Sequence, residues 1–521
     1  MLTVKPFIVF LSIFAVSVSL QFATISQPVT FLLASVIPDD AFYYFEIARN
    51  IVSGHGPTFD GVNPTNGYHP LWMILILPFF KMFSVGGIYD IGPVAAVLIF
   101  SVFINALTGI VLYRIVSRYT DNVWIKTLSL FIWFFNPYTI VESLNGLETS
   151  LSIFLIATFF LSVLRFSERR TIARLAAFGA VGGLMMLARL DNVIYFAAVL
   201  LYLLVTEINR EKIKRVLIAG IIASIIVAPW LVWNKAQFGM FFTSSSVTST
   251  MVNHVLIEQD HGPGFLQKAK AVIYSTHYQY ENILQQTAAP ELFLLLLGAL
   301  LMYLAAKYMG NLALLYRELR SRPEFYLFIG FLGIFIANAS IRWVGRSWYF
   351  MAFNIFVAVL AAWFLNRVKD AIPFKRVSFV LALVLISGFY FISWEKHISG
   401  SQIAQQEMIE SAFWMNENLP TGTKIGVFNA GIQGYFSSHQ IVNLDGLVNN
   451  AAAEAMKERR LWQYIKNENI EYISDYDIYM SYRYKSFFGI DNVLAELTPI
   501  HNIKIADHSR SSAGITIYKV N

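Results

Sequence analysis

Long runs of uncharged, apolar residues recur along this chain, and short basic loops separate them. Backbone polar groups inside lipid are satisfied only within helices or closed barrels, so the pattern excludes most soluble folds. Candidate spans lie near residues 6–25, 93–113, 124–137, 150–165, 174–189, 192–207, 215–234, 291–308, 324–341, 347–366 and 376–394. The prediction is an α-helical polytopic membrane protein with about 11 transmembrane helices. Only 14% of the residues are charged, against roughly 25% in an average soluble domain. Lys5 and the apolar stretch Phe7–Phe22, with no small-residue cleavage site behind them, read as an uncleaved anchor.

Charge then orients the spans. Basic clusters lie at Arg114/Arg118/Lys126, Arg165/Arg169/Arg170/Arg174, Arg210/Lys212/Lys214/Arg215, Lys307/Arg317/Arg320/Arg322 and Arg367/Lys369/Lys375/Arg376. The positive-inside rule puts them in the cytoplasm, and the net charge of +6 reflects topology rather than nucleic-acid binding. Eleven spans alternate consistently if 70–84, about 14 residues, is re-entrant or interfacial. The extracytoplasmic face then collects 27–70, the turn 138–149, the turn Arg189–Asp191, the long loop 235–290 and Arg342–Arg346. Past residue 394 the composition turns polar, with strand-like runs at 424–428, 470–473 and 514–518. The expected organisation is a membrane domain over 1–394 and a small extracytoplasmic α/β domain over 395–521. The chain has no cysteine, which excludes a disulfide framework, a thiol nucleophile and Cys-ligated zinc.

Two adjacent carboxylates, Asp39 and Asp40, follow the first apolar run. Charges at the mouth of a membrane must be kept wet or paired, so such a pair marks a functional site. Residues 39–53 place Phe42, Phe45, Ala48, Ile51 and Val52 at helical spacing, which predicts an amphipathic helix along the membrane surface. One acid of the pair is expected to cap that helix. The turn-rich segment 54–72 offers His55, Tyr68 and His69 as hydrogen-bonding or stacking groups suited to a sugar. The spacing of its histidines does not favour metal ligation; no cofactor is firmly predicted, and a divalent metal stays open as the less favoured reading. Glu148 falls where a span begins, at the level of the acid pair. Arg189 and Asp191 either pair with each other or leave Arg189 to hold a phosphate. Arg342 and Arg346 oppose the positive-inside bias and suggest anion binding. In the C-terminal part, Gly431-Ile-Gln-Gly434 lacks dinucleotide-binding spacing and reads as an ordinary turn. An acid–base pair with cationic and aromatic groups at one aqueous face suits sugar transfer from a lipid-linked phosphate. A transporter or flippase of such a lipid, or a non-catalytic membrane scaffold, are the alternatives; charges gathered at the span edges rather than at mid-membrane favour transfer.

The phrases Asp39-Asp-Ala-Phe-Tyr-Tyr-Phe45, Thr65-Asn-Gly-Tyr-His-Pro-Leu-Trp72, Gly146-Leu-Glu-Thr149, Ala188-Arg-Leu-Asp191 and Asn443-Leu-Asp-Gly-Leu-Val-Asn449 resemble the GT-C superfamily of polytopic glycosyltransferases. The similarity is to bacterial RgtA/B/C/D-like and dolichyl-phosphate-mannose-type mannosyltransferases. It implies an inverting transfer from a polyprenyl-phosphate monosaccharide to a glycan, lipid or protein acceptor at a bacterial inner or plasma membrane. The family's general base maps onto Asp39, with Asp40 a close second, and its second acidic motif onto Glu148. The turn Arg189-Leu-Asp191 departs from the commoner Arg-Pro-Asp. The chain lacks the Trp-Trp-Asp phrase of the oligosaccharyltransferases, which argues against transfer of a whole N-glycan.

Overall fold

A bent pair of helices opens the chain, with Phe10–Ile25 and Val29–Ser35 meeting at 111°. The computed structural model describes residues 6–83, 90–205, 210–262, 264–341, 346–369, 376–505 and 514–521. Among them, seven helices are long and apolar enough to cross a membrane, or eight if the bent pair is one span. The eleven expected spans fall on helices, but three of these, Val123–Phe134, Ile172–Ala188 and Val193–Val205, have only 12, 17 and 13 residues. A straight crossing needs about 20. Pro70–Met82, at 13 residues, is likewise short for a crossing. The expected long loop 235–290 is largely helical, as Ser244–His261 and Phe265–Gln286. Its polar composition hides the helices because only a narrow face of each is buried.

Local chemistry sets the helix ends that matter for the site. Asn136 accepts from the backbone N–H groups of Tyr138 and Thr139 and starts the short helix Pro137–Ser143. Next comes a loop in which Gly146 takes φ +76°, a conformation glycine adopts without strain, packed against the Phe45 ring and Ala41. Trp72, fully buried, donates its indole N–H to the Gly146 carbonyl at 3.1 Å. Helix Thr149–Glu168 follows at once, leaving Glu148 at its mouth. Between Ile172–Ala188 and Val193–Val205 the backbone goes extended at Arg189 (φ −151°), and Asn192 ties the turn to Ser152 and to the Met185 carbonyl at 2.9 Å each.

All five strands lie in the C-terminal part: β1 (Lys424–Val427), β2 (Gln440–Asn443), β3 (Tyr472–Tyr476), β4 (Leu497–Ile503) and β5 (Ile515–Val520). Their order is β2-β1-β3-β5-β4; β1 runs parallel to β2 and β3, and β5 antiparallel to β3 and β4. The chain leaves β1 for β2 on one side and reaches β3 on the other, so a crevice opens beyond the carboxyl ends of β1 and β3. The amphipathic helix Asp39–Val52 docks at that crevice. Phe42 and Phe45 pack against Tyr435, and Phe42 also packs against Phe436, with centroids 5.4 to 6.3 Å apart. One apolar core therefore runs from the membrane helices through Phe42 and Phe45 to Ile425, Val427 and Ile432. A second core, around Phe428, Val442, Leu444 and Ile473, fills the far side of the sheet.

The docking leaves no room at Gly431, where a Cβ would run into the Asp39 carbonyl oxygen. Gly431→Ala should destabilise the chain by about 1–3 kcal/mol, the usual cost of overpacking against rigid backbone. Thermal unfolding of the detergent-solubilised protein checks this; an unchanged midpoint would contradict the docking.

Candidate active site

Asp39 is the first residue of its helix, yet its side chain does not cap that helix. Its carboxylate instead accepts from the backbone N–H of Ile432 at 2.6 Å and of Gly431 at 3.2 Å. These are the first N–H groups of the short helix Gly431–Phe436. The expectation that an acid of the pair caps its own helix is thus corrected. Unpaired N–H groups at a helix start attract a carboxylate from any element that reaches them. The expected ordinary turn at Gly431–Gly434 is corrected by the same observation. Gln405 fixes the approach, accepting from the Asp39 N–H at 2.6 Å and donating to the Ile37 carbonyl at 2.9 Å. Tyr43 completes the dock: its hydroxyl donates to the Phe428 carbonyl at 3.2 Å and accepts from the Ala430 N–H at 3.1 Å. Burial pushes the Asp39 carboxyl up to about 7, against the two N–H bonds that lower it.

Asp40 differs from its neighbour. It is partly open to solvent and feels the charges of Arg346 in the membrane part and Arg483 in the C-terminal part. Burial raises its carboxyl above the ordinary aspartate value, Arg346 and Arg483 pull it down, and Glu148 pushes it up. Asp445, in the loop after β2, senses the Asp40 charge; its own carboxyl is pushed up to about 8, mainly by burial. It accepts from the Leu447 N–H at 2.9 Å.

Beside Asp40 lies a paired cluster. Arg189 donates to Glu148 at 2.7 Å and forks onto Asp191 at 3.1 and 2.8 Å. Its guanidinium stacks over the Tyr349 ring at 4.3 Å. Of the two readings of Arg189, the internal pair is the one observed, and Glu148 joins it; two carboxylates already neutralise this cation. His69 approaches Glu148 at 3.7 Å and its backbone N–H donates to the Tyr44 hydroxyl at 3.0 Å. Burial holds the imidazole below its ordinary pKa, and its Nδ1 is buried without a partner. Arg346 is exposed, with its guanidinium 5.6 Å from the Trp348 ring.

Not every expected residue joins this group. His55 is exposed beyond the far end of the surface helix, where its N–H bonds the Asn50 carbonyl. Asn50 lies about 15 Å along the axis from Asp40 at 1.5 Å per residue. Tyr68 is buried, with its ring packed against Trp230 at 5.4 Å. Arg342 lies outside the described residues. Among the described residues, no cluster of three or more His, Asp or Glu side chains could hold a metal ion. Arg483 and Asp475 were not anticipated from the sequence. Asp475, at the end of β3, accepts from the N–H groups of Phe428 and Asn429 at 2.7 and 3.2 Å, and burial pushes its carboxyl up to about 7. Asp445 was legible only as part of the phrase 443–449, and Arg483 sits in no motif at all.

Comparison with known proteins bears on this arrangement. Residues 87–233 match the family described as dolichyl-phosphate-mannose-protein mannosyltransferase. Residues 396–518 match a family described as a domain of unknown function, DUF8728. No curated protein matches the sequence. The structure is similar to that of ArnT from Cupriavidus metallidurans bound to undecaprenyl phosphate, at 12% identity and TM-score 0.58, over 97% of both chains. It is also similar to the oligosaccharyltransferase of Archaeoglobus fulgidus in complex with zinc and sulfate, at 15% identity and TM-score 0.58. That likeness covers 92% of this chain and 69% of the other. The same archaeal enzyme, AglB, with an inhibitory peptide and a dolichol-phosphate, aligns at 14% identity and TM-score 0.53 over 92% of this chain and 70% of that one. At these identities the likeness is one of fold, the polytopic GT-C fold with a C-terminal domain.

Burial pushes three carboxyls at the dock and the adjoining loop, Asp39, Asp475 and Asp445, from the aspartate value of 3.8 up to about 7, about 7 and about 8. A group whose folded pKa is raised contributes stability that is complete below the unfolded pKa and is lost as pH rises through the folded one. Unfolding midpoints should therefore fall between pH 5 and pH 8.5, with a shallower slope for Asp475→Asn. Midpoints that rise across that window would contradict the placement. Arg189→Met, which leaves Glu148 and Asp191 uncompensated, should cost about 3–5 kcal/mol. Adding Glu148→Gln should recover part of that loss in the same assay.

Proposed function

We propose that this chain, a glycosyltransferase of the GT-C fold, moves one sugar from a polyprenyl-phosphate donor to an acceptor hydroxyl, with Asp40 as general base. One observation carries the reading. Residue Asp40 is partly open to solvent and lies in the field of Arg346 and Arg483, whereas each carboxylate oxygen of Asp39 accepts a backbone N–H. A general base needs a lone pair that the reacting proton can reach; Asp39 is buried with each oxygen already accepting a backbone N–H, so Asp40 is the more accessible of the two. The expected order of the pair is thereby reversed, with Asp39 as the residue that positions Asp40.

In the proposed step, Asp40 takes the proton of the acceptor hydroxyl as its oxygen attacks the anomeric carbon. The bond from that carbon to the phosphate oxygen breaks, and the polyprenyl phosphate leaves with the electron pair. Attack opposite the leaving group inverts the anomeric centre. Arg346, whose charge acts on Asp40 and which has no carboxylate partner within salt-bridge distance among the described residues, suits the negative charge that grows on the leaving phosphate. Arg189, neutralised by Glu148 and Asp191, instead holds Glu148 and His69 in place at the pocket wall. The positive-inside pattern supports a pocket and a C-terminal domain on the extracytoplasmic side, where a sugar donor would be carried on a lipid.

Mass spectrometry of envelope glycans in a deletion strain, rescued by variants, tests the reading. Asp40→Asn should lower transfer by about 100- to 10,000-fold, the range associated with a positioned base. Asp39→Asn should mainly lower the thermal midpoint and retain more transfer. Full rescue by Asp40→Asn would remove the proposed base, and complete loss only in Asp39→Asn would restore the original order.

A further inference from the structure

The turn-rich segment after β3 has two sides. One side carries Arg483, whose charge acts on Asp40 and Asp445. The other lines a cavity of about 290 Å³ that none of the described catalytic groups enters. Its floor includes Met480 and Phe488, both buried, and its rim carries Ser481, Lys485, Asp491 and Asn492, all exposed. Cavity and transfer pocket share a wall. The Tyr484 ring stacks on Phe428 at 4.5 Å, Phe488 meets the same ring at 6.1 Å, and Arg483 donates to the Tyr484 hydroxyl at 3.3 Å. Phe428 in turn receives the Tyr43 hydroxyl at its carbonyl, on the helix that bears Asp40.

We infer that this cavity is an acceptor subsite that holds one sugar of a glycan chain, whose reacting hydroxyl extends past Arg483 to Asp40. The inference rests on the glycosyl-transfer reading above and names the acceptor class for it. Position favours this occupant. A donor tethered to lipid enters from the membrane helices, so the body of the acceptor must lie on the opposite side of Asp40, which is the C-terminal domain. Chemistry favours it as well. A sugar hydroxyl both donates and accepts, and the rim offers a hydroxyl, an amide, a carboxylate and an ammonium over an apolar floor that suits the C–H face of a ring. The volume sits near the lower end of small-ligand sites, which begin at roughly 300 Å³, and matches one sugar rather than a lipid chain.

The test uses the full chain with Asp40→Asn in lipid nanodiscs, so that binding is read without turnover. Saturation-transfer NMR is recorded with mannotriose and with a galacturonic acid trisaccharide. Binding of either trisaccharide, weakened five-fold or more by Lys485→Ala or Asn492→Ala with unchanged thermal midpoints, is the expected result. Saturation of one ring of the trisaccharide above the others would place that ring in the cavity. Binding of neither probe, or binding indifferent to both substitutions, overturns the proposal. The same variants in the wild-type background should raise KM for a glycan acceptor five-fold or more, with kcat within two-fold. Undiminished transfer by Asp40→Asn would sink the catalytic reading instead, while the NMR result on the cavity would stand by itself.

Discussion

A single carboxylate joins the two halves of this molecule. Asp39, at the start of the surface helix, accepts from the first two N–H groups of the helix that follows β1. Hydrogen bonds of this kind contribute about 0.5–1.5 kcal/mol each. Gln405 and Tyr43 surround the contact, and the ring cluster of Phe42, Phe45 and Tyr435 seals it from below. The crevice beyond β1 and β3, where an open α/β sheet would take a ligand, is filled by the protein's own aspartate. The register of Asp40 follows: once Asp39 is locked, its neighbour must project into the space between the membrane helices and the sheet.

That space is organised by how charge is divided. Arg189, Glu148 and Asp191 neutralise one another at one wall, while Arg346 and Arg483 act on Asp40 from the membrane part and from the C-terminal part. A carboxylate held this way stays ionisable, because two cations offset part of the desolvation that raises it. The cation that the sequence offers most plainly for phosphate, Arg189, is the wall, and a less conspicuous arginine of the C-terminal domain acts on the acid. Function in this account belongs to the interface of two units and to neither alone.

Much of this was legible in the sequence where the signal is local. The amphipathic pattern over 39–53 became the helix Asp39–Val52, and Glu148 does stand at the mouth of a helix. The strand-like runs at 424–428, 470–473 and 514–518 fall on β1, β3 and β5. Periodicity reports which face of an element is apolar and nothing about what that face meets. The Asp39 bonds span 392 and 393 residues, beyond the reach of any window, so the sequence offers no sign that Asp39 is held by a distant helix start. His55 and Tyr68 share a turn-rich stretch with His69, yet only His69 reaches Glu148, because the loop doubles back along the helix end. Arg483 left no signal, since a lone basic residue in a polar segment is ordinary.

The central claim is that Asp40 feels a cation from each half of the protein. It is tested most directly by the pH dependence of kcat/KM for sugar transfer in wild type, Arg346→Gln and Arg483→Gln. Both cations lower the Asp40 carboxyl, so removing either should move the acid limb to higher pH, by the same sign and in separate variants. An acid limb that moves with Arg346 but stays fixed with Arg483 would mean that the C-terminal domain does not face the base.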